Sequence, residues 1–327
     1  MEEGVLEAIG KTPLVRLHRL LGSETVRCYA KLEALNPGGS AKDRPALAMI
    51  QRAMADGLVK PSTVIIESSS GNMGIGLAQV CGYYGLRFIC VVDIKTTQQN
   101  LNILRLYGAE IEMVTEPDPE TNELLQARLK RVEQLQQEYP DSFWPNQYAN
   151  RENSASHLRT TMREICETLG GGPDYLLCAT STCGTIRGCT EYVQEHGLST
   201  EVIAVDALGS RIFDSPPAPR HVPGLGAGLR PPLCPFEDIR RCIHVSVADC
   251  VLGCRLLLTR EAIFAGGSSG GVAVAALRLR AEMPAGASCV MILPDRGERY
   301  VDTMFDDGWV REHVGDVEPQ WQELLAL

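Results

Sequence analysis

At 327 residues, 44% apolar and 22% charged, the chain reads as a globular protein with more length than one core holds comfortably, which predicts two domains. No apolar run approaches the roughly 18 residues that span a bilayer, and the acidic opening MEEGVLEAIG lacks the pattern of a secretion signal, so a cytoplasmic location is expected. A formal charge of -10 argues against broad phosphate-backbone binding; neither nucleic acid nor membrane is expected as a partner, although local basic pockets stay open.

Two β-like segments come first, TPLVRL (12–17) and VRCYAKLEAL (26–35). A rhythm of short β-rich runs and longer helical patterns follows: TVIIE (63–67) before a helix from 71, RFICVV (87–92) before TQQNLNILRLYGA, and IEMV (111–114) before ELLQARLKRVEQLQQ. It resumes with YLLCAT (175–180), TIRGCTEYVQEHG, EVIAVDA (201–207) and CVMILP (289–294). Continuous apolar strands alternating with helices predict an α/β fold of open, twisted, mainly parallel sheets flanked by helices. In such sheets ligands bind in loops at the carboxyl ends of the strands.

The polar stretch DSFWPNQYANREN (141–153) separates two groups of strand–helix pairs and is the expected crossing between domains. The Pro- and Gly-rich stretch at 215–235 is expected to be irregular; loops of that length are usually functional or mobile. The twelve cysteines are scattered through apolar runs and read as reduced, core-packing thiols. Cys250 and Cys254 share a helix face, but none of the six histidines pairs with them in a zinc-type spacing, and no metal is expected.

Three loops carry the chemistry. In LNPGGSAKDRP (35–45), Ser40 and Asp43 have the spacing of a capping-box variant and Pro45 falls in the first helical turn, which puts Lys42 at or beside a helix N-terminus. The helix dipole disfavours a cation there, and a lysine whose pKa is lowered this way becomes a nucleophile toward carbonyls. From this stretch alone, that reading and a solvated surface lysine both stay open. SSSGNMG (68–74) and STCGT (181–185) offer hydroxyls and glycine-exposed amides ahead of helices, as anion cradles do. The glycines of GNMGIG run G-x-x-G-x-G, not the dinucleotide spacing G-x-G-x-x-G. GGSSGG (266–271) is consistent with an ordinary N-cap through Ser268 or Ser269.

IGKTPLVRL, KLEALNPGGSAKDR, ESSSGNMGIGLA, STCGT, IFAGGSSGG and ILPDRGERY together, in that order, resemble the pyridoxal-phosphate enzymes that include cysteine synthase and cystathionine β-synthase, over roughly residues 5 to 305. The resemblance implies the tryptophan synthase β-like fold, fold type II, with pyridoxal 5'-phosphate as cofactor and a homodimer as assembly. It implies a smaller mobile domain over 40–148 carrying the substrate loop, which closes over bound substrate, and a larger cofactor-binding domain from 1–39 plus 149–327. Lys42 then corresponds to the lysine that holds the cofactor aldehyde as a Schiff base and removes the α-proton. Asn72 corresponds to the contact of the ring hydroxyl, and Ser181, Thr182, Cys183, Gly184 and Thr185 to the phosphate loop. Ser268 corresponds to the serine facing the pyridine nitrogen, a neutral group that favours β-elimination and replacement. Ser69, Ser70, Gly71, Met73 and Gln147 fall where the family grips the substrate carboxylate.

Departures from the acetylserine-using members bear on the leaving group. STCGT stands where they carry GTGGT, Tyr148 where they carry Phe, and Arg296 where they carry a small residue. Added donors at Ser181 and Tyr148 suit phosphate, with three acceptor oxygens and about -1.5 to -2 charge. Arg128 is the expected cation, with Arg296 and Arg211 behind it; a solvated face bearing Lys130, Arg131 and Glu133 is the other reading of that helix. The motif set looks most like the siderophore-pathway branch that joins O-phospho-L-serine to L-glutamate, giving N-(2-amino-2-carboxyethyl)-L-glutamate, a precursor of 2,3-diaminopropionate. The alternative is a cysteine synthase or cystathionine β-synthase using O-acetylserine or serine with a sulfur nucleophile. The second substrate, glutamate, rests on resemblance alone.

Overall fold

The computed structural model describes residues 4–21, 26–216 and 218–326. Six strands form one sheet: β1 (Leu14–Leu17), β2 (Arg27–Leu32), β7 (Tyr175–Ala179), β8 (Glu201–Ala207), β9 (Arg241–Val245) and β10 (Ser288–Leu293), in the order β1-β2-β10-β7-β8-β9. Its pairs are parallel except for β1 with β2. Four others, β3 (Val64–Ser68), β4 (Phe88–Asp93), β5 (Glu110–Val114) and β6 (Ser142–Phe143), form a second, parallel sheet in the order β5-β4-β3-β6.

Side chains alternate across a strand, so a strand apolar throughout needs cover on both faces. In β10, Cys289, Met291 and Leu293 enter one core while Val290 and Ile292 enter another. In β4, Phe88, Cys90 and Val92 face one layer and Ile89 and Val91 the other. The helices supply that cover: α1 (Asp43–Ala55), α2 (Asn72–Tyr84), α3 (Gln98–Leu106) and α4 (Leu124–Glu138) lie around the smaller sheet. Then come α5 (Arg151–His157), a π-helical turn over Leu158–Met162, α6 (Arg163–Leu169), α7 (Gly184–Glu195), α8 (Val247–Glu261) and α9 (Gly267–Leu279). Helices α8 and α9 touch backbone to backbone, since a Cβ on Gly253 would strike the Gly270 carbonyl.

Some local expectations are corrected. The Ser40–Asp43 capping box does not form: Lys42 itself is the N-cap residue of α1 and no side chain caps it. Asp43 turns back to accept from Gly38 N, and Ser40 is held by a backbone bridge to Asp295. Neither Ser268 nor Ser269 caps α9, whose N-cap residue is Gly266. The chain's last helices, α10 (Asp307–His313) and α11 (Glu318–Ala326), dock on the large-sheet core through Trp309, Val314, Val317 and Trp321. Cys250 and Cys254 are buried core thiols, and no group of three metal-ligating side chains occurs among the described residues. No helix among them is long and apolar enough to cross a membrane. Between β8 and β9 the described part of 215–235 is irregular; Pro217, like the opening residues 1–3, lies outside the described residues.

Helix α1 joins the two sheets. Ala46, Met49, Ile50 and Ala53 belong to the core of the smaller sheet. Its first turn is tied ionically to the turn that follows β2 and to α6: Arg44 Nε donates to Glu33 Oε2 at 2.7 Å, Nη1 to Glu164 Oε1 at 2.7 Å, and Nη2 to Glu33 Oε1 at 2.8 Å. Lys31 Nζ reaches Glu164 Oε2 at 2.6 Å and the Thr12 hydroxyl donates to Glu33 Oε1 at 2.7 Å. Burial pushes the Glu33 carboxyl up, but the charge and hydrogen bonds of Arg44 outweigh it and hold the carboxyl at about 2.

Breaking a buried pair from one side leaves an unpaired charge, so Glu33→Gln is expected to lose about 3–5 kcal/mol of stability in urea unfolding at pH 7. The Glu33 pKa is lower folded than unfolded. Its contribution is therefore complete above pH 4.5 and lost as pH falls toward about 2, and the gap between wild type and variant should close over that window.

Candidate active site

Lys42 stands where α1 meets the carboxyl end of β10. Ala41 N donates to Pro294 O at 2.8 Å, and Lys42 N to Ser40 Oγ at 3.2 Å. The side chain is half-buried and opens into a cleft shared with Ser181, Thr182, Cys183, Thr185 and Gly224. Its ε-amine makes no hydrogen bond or ion pair among the described residues. Burial lowers its pKa, opposed first by the charge of Asp295.

Residues 180–183 link β7 to α7, whose first turn holds Gly184 and Thr185. Cys183, the N-cap residue, takes the left-handed conformation at φ 64°, which turns the chain sharply into the helix. The first turn of α7 therefore lies at the cleft, with the partial positive charge that favours an anion. Asn153 Nδ2 donates to Thr182 Oγ1 at 3.2 Å and to Gln147 O at 2.7 Å. Behind Thr185 is His157, Nε2 at 3.2 Å from the Thr185 hydroxyl and Nδ1 at 2.9 Å from that of Thr161. Burial, with the nearby Lys42 charge, drops the His157 pKa to about 3, so the imidazole is neutral at any working pH.

The loop after β3 is held from inside. Ser69 Oγ accepts from Gly74 N at 2.9 Å and Gly71 N at 3.3 Å, while Asn100 Nδ2 donates to Ser70 O at 3.0 Å. Ser68 Oγ is buried without a partner among the described residues. Gln147 Nε2 donates to Ser68 O at 2.9 Å, and Glu67 accepts from Trp144 Nε1, Ser68 N and Gln147 N. Burial raises the Glu67 pKa to about 7 despite those donors. The Met73 side chain lies in the core of the smaller sheet, which leaves its backbone as the part able to meet a ligand.

Asn72 donates Nδ2 to Asp295 Oδ2 at 2.7 Å and accepts on Oδ1 from Arg299. Ser268, buried in the first turn of α9, follows Gly266, whose amide donates to Asp295 O at 3.1 Å. Arg128 is buried beside Asp93, Nε to Oδ2 at 3.1 Å, yet neither Nε nor Nη1 makes a hydrogen bond. Its charge faces Glu67 and the half-buried Tyr148. Arg296 is turned to Ala34 O at 2.8 Å and Arg211 is exposed.

The structure thus gathers Lys42 and the 181–185 loop in one cleft, and Asn72 and the Ser268 turn around Asp295. Gln147 sits with the 68–70 loop, with Arg128 behind. Asn153, His157, Glu67 and Asp295 were missed by the sequence reading. Glu67, Asn153 and Asp295 lay inside quoted stretches without standing out, and each of the four has at least one partner 28 or more residues away.

The residues fit pyridoxal phosphate. A half-buried lysine without a partner meets the aldehyde requirement, and a helix N-terminus with hydroxyls suits the phosphate. Gly184 is needed for that cradle, because a Cβ there would run into the Asn153 carboxamide. Gly184→Ala is therefore expected to weaken cofactor binding by about tenfold or more, the loss of one or two hydrogen bonds to an anion. Fluorescence titration with pyridoxal phosphate measures it, and an unchanged far-ultraviolet spectrum separates it from unfolding.

Comparison with known proteins agrees with this geometry. The chain is 47% identical over 308 residues to an N-(2-amino-2-carboxyethyl)-L-glutamate synthase of Ralstonia nicotianae, covering 94% of this chain and 91% of that one. It is 44% identical to a protein of the same name from Cupriavidus metallidurans, covering 94% and 90%. The crystal structure of an O-acetylserine dependent cystathionine beta-synthase from Helicobacter pylori superposes with a TM-score of 0.86 at 30% identity, covering 93% of this chain and 98% of that one. The fold is that of the fold-type II enzymes, and pyridoxal phosphate is the cofactor. With the family model "Pyridoxal-phosphate dependent enzyme" matching residues 5–295, the chain belongs to the pyridoxal-phosphate dependent enzymes.

Proposed function

We propose that this enzyme joins O-phospho-L-serine to L-glutamate by β-replacement, releasing phosphate and forming N-(2-amino-2-carboxyethyl)-L-glutamate for 2,3-diaminopropionate and siderophore biosynthesis. The observation that carries the phosphate-bearing substrate is Arg128, a guanidinium 8% exposed that is ion-paired to Asp93 at 3.1 Å yet makes no hydrogen bond at Nε or Nη1, with its charge facing Tyr148. Buried donors are rarely left unmade without cause, and an arginine fork matches phosphate geometry. Glutamate as the nucleophile follows the name shared by the two bacterial relatives.

Each residue then has its own role. Lys42 would hold the cofactor through its ε-amine, and the same amine, when free, would take the α-proton at Nζ. Residues 181–185 bind the cofactor phosphate through backbone amides and the hydroxyls of Ser181, Thr182 and Thr185, with Asn153 and the neutral His157 keeping Thr182 and Thr185 in place. Asn72 would contact the ring hydroxyl, and Ser268 would offer the ring nitrogen a neutral group. When bound, pyridoxal phosphate supplies the electron sink that lets the α-proton and the β-phosphate leave. Ser69, Ser70, Gly71, the Met73 backbone and Gln147 receive the substrate carboxylate. Ser181, Tyr148 and Arg128 receive its phosphate.

The residues from 40 to 148 form the smaller, mobile domain on this reading, closing on the larger one built from 1–39 and 149–327. The enzyme works as a cytoplasmic homodimer.

Three measurements test the reading. Mass spectrometry should find the glutamate adduct and stoichiometric phosphate from phosphoserine plus glutamate, and little product from acetylserine plus sulfide; activity confined to the sulfur pair would reassign the enzyme as a cysteine synthase. Lys42→Ala should lose turnover and the visible absorbance of bound cofactor. Arg128→Ala should raise KM for phosphoserine about 10- to 100-fold, the equivalent of one charge-assisted contact of about 1.5–3 kcal/mol.

A further inference from the structure

Asp295 is a buried acid to which neither the family match nor the roles above assign a function. It is 1% exposed at the carboxyl end of β10, its backbone fixed by the bridge to Ser40 and by the Gly266 amide. Oδ2 accepts from Asn72 Nδ2 and from the Tyr300 hydroxyl, both at 2.7 Å. Oδ1 has no partner among the described residues. The carboxylate also lies against the first turn of α9: a Cβ at Gly266 would collide with Oδ1 and with the Tyr300 ring. That helix terminus favours an anion.

The unpartnered oxygen and the unpartnered ε-amine of Lys42 belong to neighbouring groups. Residues 40–42 are strapped to 294–295 by the Ser40 bridge and the Ala41 to Pro294 bond, and Asp295 is the foremost opposite charge facing Lys42. The remaining charged or titratable groups around the pair are Arg299, Tyr300 and Cys254 on the Asp295 side, and Cys183, Glu33 and His157 on the Lys42 side. Glu33 is saturated by Arg44 and Thr12. His157 is neutral. Asp295 alone among these has an acceptor to spare.

We propose that Asp295 is a positioning residue that acts as the counter-charge for the Lys42 ammonium formed when the freed amine takes the α-proton. The inference rests on the assignment of Lys42 as the cofactor lysine. A buried amine without an opposite charge resists protonation, which slows the proton transfer it must perform. Asp295 offsets that resistance, and its hold on Asn72 ties the same charge to the residue proposed for the ring hydroxyl.

The test uses the full-length chain. Acetylation of Lys42 by acetic anhydride, followed across pH by peptide mass spectrometry on cofactor-stripped protein, reports the midpoint of its ammonium. In Asp295→Asn, and in the smaller Asp295→Ser, the midpoint should fall by about one pH unit or more, the effect of losing a close opposite charge. Asp295→Glu should restore part of it. In the reconstituted enzyme kcat should fall about tenfold with KM for phosphoserine little changed, a loss of about 1.4 kcal/mol in the proton-transfer step. Two neutral variants guard against one failing to fold. Unmoved midpoints in the folded variants, with wild-type Lys42 still shielded from acetylation by pyridoxal phosphate, overturn the proposal. Absence of that shielding overturns the assignment of Lys42 instead.

Discussion

The ionic knot of Glu33, Arg44, Glu164 and Lys31 is the constraint on which the rest of the site depends. Arg44 is two residues beyond Lys42, and both carboxylates it grips come from outside its helix. Buried ion pairs add little net stability, because desolvation cancels much of the attraction. What they add is position: a guanidinium fork has few geometries in which three nitrogens are satisfied at once. The first turn of α1 is therefore locked onto the turn after β2 and onto α6 while its later turns pack on the other sheet, and Lys42 is held at the junction.

From that anchor outward, several buried polar groups among the candidate site residues and their neighbours lack a hydrogen-bond partner within the protein. Ser68 Oγ, Ser269 Oγ, Asp295 Oδ1 and two nitrogens of Arg128 are buried without hydrogen bonds. Each such group costs about 1–3 kcal/mol relative to a satisfied one. A fold tolerates that near a place where a ligand supplies the missing partners. The satisfied groups around them serve another purpose. Asn153, His157 and Glu67 hold loops in shape and, on the present reading, touch no substrate atom. His157 precedes a π-helical turn, a distortion that recurs at functional sites, and it reaches Thr185 from there.

Legibility of the site differed residue by residue. Lys42, Asn72, Ser268 and the STCGT loop could be picked out because several short motifs stood in one order, and each marks the start of a helix. The capping spacing of Ser40 and Asp43 misled, since local geometry permitted the box while Gly38 and Asp295 competed for the two residues. Arg128 was ambiguous in a helix full of charges. It is buried because that face of α4 meets β3 and β4 through Val132 and Leu135. Met73 sat in a loop motif, yet its side chain is part of a core.

By itself the sequence determined the strand and helix rhythm, the mainly parallel α/β class and the order of the glycine and serine loops, because these follow from periodicity and backbone chemistry within about ten residues. Only the tertiary structure decided which charges meet. Arg44 finds Glu164 across 120 residues and Asn72 finds Asp295 across 223, and no local pattern encodes such pairings. They arise when two separately patterned sheets are brought together, and burial then converts ordinary acids and bases into groups whose charge depends on one neighbour.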